Sequence, residues 1–247
     1  MRRIIHKQKK FEPKSKATEE PKYVRDKSLY CLPTWKGSLG GLPVFLLGNG
    51  CSLLGISDWP SLDPFFTIGM NRIFLRYDPT VLMWQDIELW KEHSKQILEL
   101  QAIKVARPLA DPQGYAIHFH LKGGVPKFTG ATNRLQGYGT TGILAAQLAV
   151  LSGSGPLVLL GMDCAPGPGG STDFYGNNRH HKQHTMSNCM RGLWWLKDAS
   201  PVEIINCSDN GLWPKQPINE VIDRFDKPEY RRSRSYFQDL FKSLKRK

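Results

Sequence analysis

Short apolar runs bounded by Gly, Pro, Asn or Asp recur along the chain: Val44 to Leu47, Phe66 to Met70, Val81 to Trp84, Leu157 to Leu160 and Val202 to Ile205. They are apolar at successive positions rather than at alternate ones, which predicts strands of a parallel sheet buried on both faces. Helical spacing fills the gaps. Ile87 to Leu100 carries an apolar stripe through Ile87, Trp90, Ile97 and Leu98, with Asp86 placed as an N-cap. Thr141 to about Leu151 is apolar on nearly every side, as expected of a helix covered by a sheet and a further layer. The alternation predicts an α/β fold, a Rossmann-like open, mainly parallel sheet with helices on both faces and a small lid. Ligands of such sheets bind at the carboxyl ends of the strands. Gly48-Asn49-Gly50, Asn71, Gln85 and Asp86, Gly161 and Asp163, and Asn206 follow the five runs in turn and are expected to converge there.

The charged residues divide the chain into three. Residues 1–27 hold ten Lys/Arg and four Asp/Glu, and 224–247 hold nine and three, so the two ends carry the whole net charge of +12. The body, 28–223, is formally neutral and is read as a single domain, with the ends as a basic flexible arm and a basic amphipathic segment. Phe237, Leu240, Phe241 and Leu244 recur at helical spacing in that last segment, a pattern that suits either a membrane surface or packing onto the body. An anionic partner at the basic ends, a membrane surface or a nucleic acid, is expected, against the bland alternative of solvated tails. With 40% hydrophobic residues the chain buries a sizeable core. Five scattered cysteines without a C-x-x-C pair, and no apolar run of spanning length, predict an intracellular, cytoplasmic protein without a disulfide framework, peripheral to a membrane at most. Oligomeric state is not legible.

Three segments carry candidate chemistry. Gly48-Asn49-Gly50-Cys51-Ser52 turns from a strand towards a helix that Ser52 is placed to cap, where backbone N–H groups and the helix dipole favour an anion; it also reads as a plain turn. Gly137-Tyr138-Gly139-Thr140-Thr141-Gly142 opens the apolar helix and matches neither a P-loop nor a dinucleotide fingerprint. Its hydroxyls and amides suit a phosphate or sugar, and Thr140 or Thr141 also suits a helix cap. The stretch 165–189, rich in Pro and Gly and then in Arg179-His180-His181-Lys182-Gln183-His184, has the composition of an active-site lid. Its histidines are candidates for a general base. Zinc on His180, His184 and Cys189 is the rival chemistry, without the usual ligand spacings, so no metal site is assigned.

In order, Gly48-Asn49-Gly50-Cys51-Ser52-Leu53, Gly69-Met70-Asn71-Arg72, Thr140-Thr141-Gly142, Gly161-Met162-Asp163, His184 and Asn206-Cys207-Ser208-Asp209-Asn210 resemble the bacterial sialyltransferases of glycosyltransferase family 42. They also resemble the related 6-hydroxymethylpterin diphosphokinase-like domain. The resemblance spans about Val44 to Trp213. It implies a modified Rossmann fold in which Asn49 and Asn71 contact a nucleotide and Thr141 and Gly142 line its phosphate and ribose. Gly48, Gly50, Ser52, Asp86, Thr140 and Asp163 complete the expected nucleotide site. It further implies that His184, with His181 second, is the general base and that Tyr175 steadies the departing phosphate. The co-substrate would be a nucleotide sugar, with no tightly bound cofactor and a saccharide or modified nucleic acid as hydroxyl acceptor. Two departures bear on the donor: Cys164-Ala165-Pro166 stands where the family has a tyrosine, and Cys51 replaces a usual proline. An ATP-dependent, Mg2+-requiring diphosphokinase-like transferase and a non-catalytic nucleic-acid-binding protein remain the alternatives.

Overall fold

The computed structural model describes residues 23–177 and 183–246, without the side chains of Gln183 and His184. Seven strands form one sheet: β1 (Val44–Leu47), β2 (Phe66–Met70), β3 (Val81–Trp84), β4 (Ile103–Ala106), β5 (Ile117–His118), β8 (Leu157–Leu160) and β9 (Ile204–Asn206). Their spatial order is β5-β4-β3-β2-β1-β8-β9, and every pairing is parallel. A second, two-stranded sheet pairs β6 (His120–Leu121) with β7 (Arg134–Leu135). From β1 the chain winds outward through β5 in one direction, then returns to β8 on the other side of β1. The order therefore reverses between β1 and β8, the place where open α/β sheets form a crevice.

Both faces of the sheet are buried, which explains the uninterrupted apolar runs. Val44 and Leu46 of β1 pack on one face, and Phe45 and Leu47 on the other. The first face is covered by α3 (Thr141–Leu151), α4 (Gln183–Ala199) and α6 (Arg234–Lys245), and the second by α2 (Ile87–Glu99) and α5 (Ile218–Phe225). Helix α3 runs within the bounds its sequence predicts, and β9 begins two residues later than expected.

The basic C-terminal helix is part of the core, so of the two readings of its apolar stripe the structure shows packing onto the body. Phe237 and Phe241 are fully buried, and the Phe241 ring stacks on Trp35 at a centroid distance of 3.9 Å while Phe237 meets Phe66 at 4.8 Å. Burial of each phenyl ring contributes on the order of 1.5–3 kcal/mol, so the apolar stripe already has its partner. No helix among the described residues is long and apolar enough to cross a membrane. At the other end, α1 (Asp26–Leu29) is tied down by Asp26, whose buried carboxylate accepts from the Lys104 amide at 2.6 Å, so the packed body starts before residue 28.

Candidate functional site

The loops after β1, β2, β3 and β8 converge on a cleft of about 150 Å3 that the start of α3 and one face of α4 close from above. Gly48, Asn49, Gly50, Asn71, Asp86, Thr140, Thr141, Gly142 and Asp163 all line it. Ser52 does not. His181 lies outside the described residues, as does the side chain of His184. Tyr175 does not line the cleft either; its ring lies under the Arg72 guanidinium, 5.2 Å from the centroid.

The first glycine turn is built for close approach rather than for an anion. The Gly48 amide donates to the Leu160 carbonyl at 2.7 Å and the Gly50 amide to the Gly161 carbonyl at 2.8 Å, which sutures the ends of β1 and β8. A Cβ on Gly48 would overlap the Gly161 carbonyl oxygen, and one on Gly50 would overlap the Asp163 carboxylate. Beyond the turn the chain makes only a five-residue 3-10 helix, Cys51–Gly55, not the α-helix whose dipole the sequence suggested. Its Ser52 amide donates to Asp163 Oδ2 at 2.8 Å and the Ser52 hydroxyl to Oδ1 at 2.5 Å. The Asp209 amide adds a third donor to Asp163 at 3.1 Å. Ser52 is therefore no cap, and the one carboxylate fills the place expected for a bound anion while it locks three loops together.

The second glycine turn is left open. Thr140 occupies the N-cap of α3 but its hydroxyl donates backward to the Gly137 carbonyl at 3.0 Å, so it does not cap the helix. The first amides of α3, at Thr141, Gly142 and Ile143, have no acceptor among the described residues and stand at the positive end of an eleven-residue helix. Gln85 holds this end in place: its Nε2 donates to the Gly139 carbonyl at 2.8 Å and to Thr141 Oγ1 at 3.1 Å. Gly142 lets α3 descend onto Met162, where a Cβ would press on the Met162 methyl at 2.8 Å.

Two side-chain amides complete the cleft. Asn49 Nδ2 donates to the Met70 carbonyl at 3.1 Å, yet among the described residues Asn49 Oδ1 is buried without a partner. Asn71 Oδ1 is likewise buried and unpartnered. A buried acceptor left unmade costs on the order of 1–3 kcal/mol, so two of them on residues that line one cleft are an expense the fold carries for something. Backbone strain collects at the same place. Among the described residues the non-glycine positions with positive φ are Asn71 (51°), Tyr138 (50°) and Cys164 (55°), two of which line the cleft while the third adjoins Gly139. Strain of this kind costs on the order of 1–3 kcal/mol per residue and persists where a site demands it.

Helix α4 presents Thr185, Met186, Cys189 and Leu193 to the cleft, and it packs closely enough on α3 that a Cβ on Gly192 would overlap Ile143. Cys164 and Cys189 hydrogen-bond thiol to thiol, and that contact with burial pushes the Cys164 thiol well above its ordinary pKa. Spacing gave no hint of this pair, nor of Thr172 and Asp173, which reach the cleft from the lid segment. Asn206 stays out of the cleft. Its amide is spent on Ser208, Trp213 and Asn210, and Ser208 in turn accepts from the Met162 amide, so the 206–210 motif braces the loop after β8. No group of three His, Cys, Asp or Glu among the described residues is arranged to hold a metal ion.

No protein-family model matches the chain, and no curated protein matches it significantly. Solved structures give distant similarities. The sialyltransferase CstII from Campylobacter jejuni, in complex with the substrate analogue cytidine-5'-monophosphate, is 14% identical and aligns over 69% of this chain and 82% of its own, at a TM-score of 0.42. The same enzyme with CMP-3FNeuAc gives 13% identity over 67% and 79%, at 0.39. The MAf glycosyltransferase from Magnetospirillum magneticum AMB-1 is 16% identical over 89% of this chain but only 44% of its own, at 0.49. At this distance the reading of the cleft rests on its own geometry.

Proposed function

We propose that the cleft binds the nucleoside phosphate of a nucleotide sugar and that the protein transfers the sugar to a hydroxyl acceptor. The observation that carries this reading is the pair of buried, unpartnered acceptors, Asn49 Oδ1 and Asn71 Oδ1, in the same cleft as the uncapped start of α3. Ribose hydroxyls and a base amino group are donors that fit the two amide oxygens, and a phosphate fits the open amides of Thr141, Gly142 and Ile143. The crevice between β1 and β8 is where this class of sheet takes such ligands.

The ordered resemblance to family 42 sialyltransferases supplies the sugar. On that reading a base, His184 first and His181 second, takes the proton of the acceptor hydroxyl. The freed oxygen bonds to the anomeric carbon as the bond from that carbon to the nucleotide phosphate oxygen breaks, and the electron pair leaves with the phosphate. The α3 amides receive the added charge. Tyr175 stands against Arg72 rather than in the cleft, so it is not assigned to the leaving group.

A thermal-shift panel of cytidine, uridine, guanosine and adenosine nucleotides and their sugar conjugates tests the proposal, because a ligand that binds only the native state raises Tm. One nucleotide family should stand out, and Asn49→Ala or Asn71→Ala should abolish its shift. His184→Ala should keep the shift and lose sugar transfer to a glycan acceptor mixture. A panel with no responding nucleotide overturns the reading.

A further inference from the structure

A second concavity lies on the excursion between β5 and α3, apart from the cleft. Its walls carry Lys122, Lys127 and Arg134, with Thr129 and Gln136 between them, around a space of about 360 Å3. All three cations are exposed, and none of them forms an ion pair among the described residues. The local sequence explains why. From Pro112 to Met162 the chain contains no Asp or Glu, so nothing near in sequence neutralises the three charges.

The walls are held by a buried group. Gln147 of α3 is 1% exposed; its Oε1 accepts from the Gln136 amide at 2.7 Å and its Nε2 donates to the Lys127 carbonyl at 2.6 Å. The β6–β7 pair sets His120 opposite Arg134, and the Lys122 amide donates to the Leu135 carbonyl at 2.8 Å. Gln136 Nε2 closes the rim by donating to the Gly123 carbonyl at 2.6 Å. The cations thus project from a fixed frame rather than from a loose loop, which lowers the cost of ordering them around a ligand.

We propose that this concavity holds the phosphodiester backbone of a nucleic acid strand, without reading its bases. A strand carries one negative charge per about 3.4 Å of its axis, which suits several cations clustered in one recess. The Thr129 hydroxyl adds a neutral donor of the kind that commonly contacts phosphate oxygens. The inference is independent of sugar transfer in the cleft.

Fluorescence anisotropy of a labelled, mixed-sequence single strand, titrated with the full chain between about 50 and 200 mM salt, tests it. The triple variant K122A/K127A/R134A should bind about 10- to 100-fold more weakly at low salt. Its plot of log affinity against log salt should be less steep by about 2, since each lost phosphate contact removes about 0.7 on single strands. K36A/K91A/K95A, which removes the same charge from other exposed positions, should stay within about twofold of wild type. Equal losses in the two triples would assign binding to net charge and overturn the site. So would an unchanged slope, or binding to anionic vesicles or heparin that the first triple impairs while nucleic acid binding is absent.

Discussion

The two glycine-rich turns of the rim, 48–50 and 137–142, look alike in sequence and differ in what they leave exposed. In the first, glycine is needed because another backbone lies against it, and the protein's own Asp163 takes the Ser52 amide that an anion would want. In the second, glycine allows the chain to bend, and the start of an eleven-residue α-helix is left without a cap. A Gly-rich turn after a strand is thus not a phosphate site by composition. The length of the following helix and the fate of its first amides decide it: the open donors stand at the second turn, while the unmade acceptors come from Asn49 of the first turn and Asn71 after β2.

The largest effect should come from Gly48→Ala. Its Cβ would meet a backbone oxygen that cannot step aside, so we expect a loss of about 3 kcal/mol, or roughly 6–12 °C in Tm, by thermal denaturation. Gly139→Ala sharpens the contrast: φ is 77° but nothing lies within 4 Å, so only the left-handed strain of about 1 kcal/mol should appear. Asp163→Ala leaves the Ser52 and Asp209 donors unmade and should cost about 2–3 kcal/mol, measured by urea unfolding. Equal stability of Asp163→Ala and wild type would contradict the division of labour between the turns.

Smaller changes in stability are expected at the two amides, with large ones in binding. Asn71→Gly should relieve the strain at φ 51° and gain about 0.5–1 kcal/mol while it weakens nucleotide binding, a trade that equilibrium unfolding and titration can follow on one sample. Last in size is the packed N-terminal turn. Burial raises the pKa of Asp26 despite the opposing pull of Lys104, so the folded state holds this proton better than the unfolded one. Its contribution is complete below the unfolded value of 3.8 and is lost as pH rises through the raised folded value. Wild type should therefore lose stability relative to Asp26→Asn as pH rises across that window, read from paired thermal melts.

Much of this frame was legible because β1, β2, β3 and β8 are buried on both faces and announce themselves as unbroken apolar runs. Strand β4 hid behind a charge: Lys104 is 6% exposed, and its ammonium reaches the carbonyls of Leu100 and Ala102 instead of water. The strand-end rule puts Asn49 and Asn71 among the residues expected to converge, together with Asn206, which stays out of the cleft; the family resemblance is what singles out the pair. The role of Asp163 could not be read, because its partners Ser52 and Asp209 lie 111 and 46 residues away along the chain. The aromatic stripe of α6 is equally silent about its partner, since a membrane surface and the Trp35–Phe66 wall ask for the same pattern.

The most direct test of the cleft is calorimetric titration of nucleoside monophosphates and diphosphates into wild type, Asn49→Ala and Asn71→Ala. The account predicts one-to-one binding of one nucleotide family to wild type and a loss of about tenfold or more in each variant, with Tm in the absence of ligand within a few degrees of wild type. Tight binding that neither substitution weakens, or no binding of any nucleoside phosphate to wild type, would contradict it.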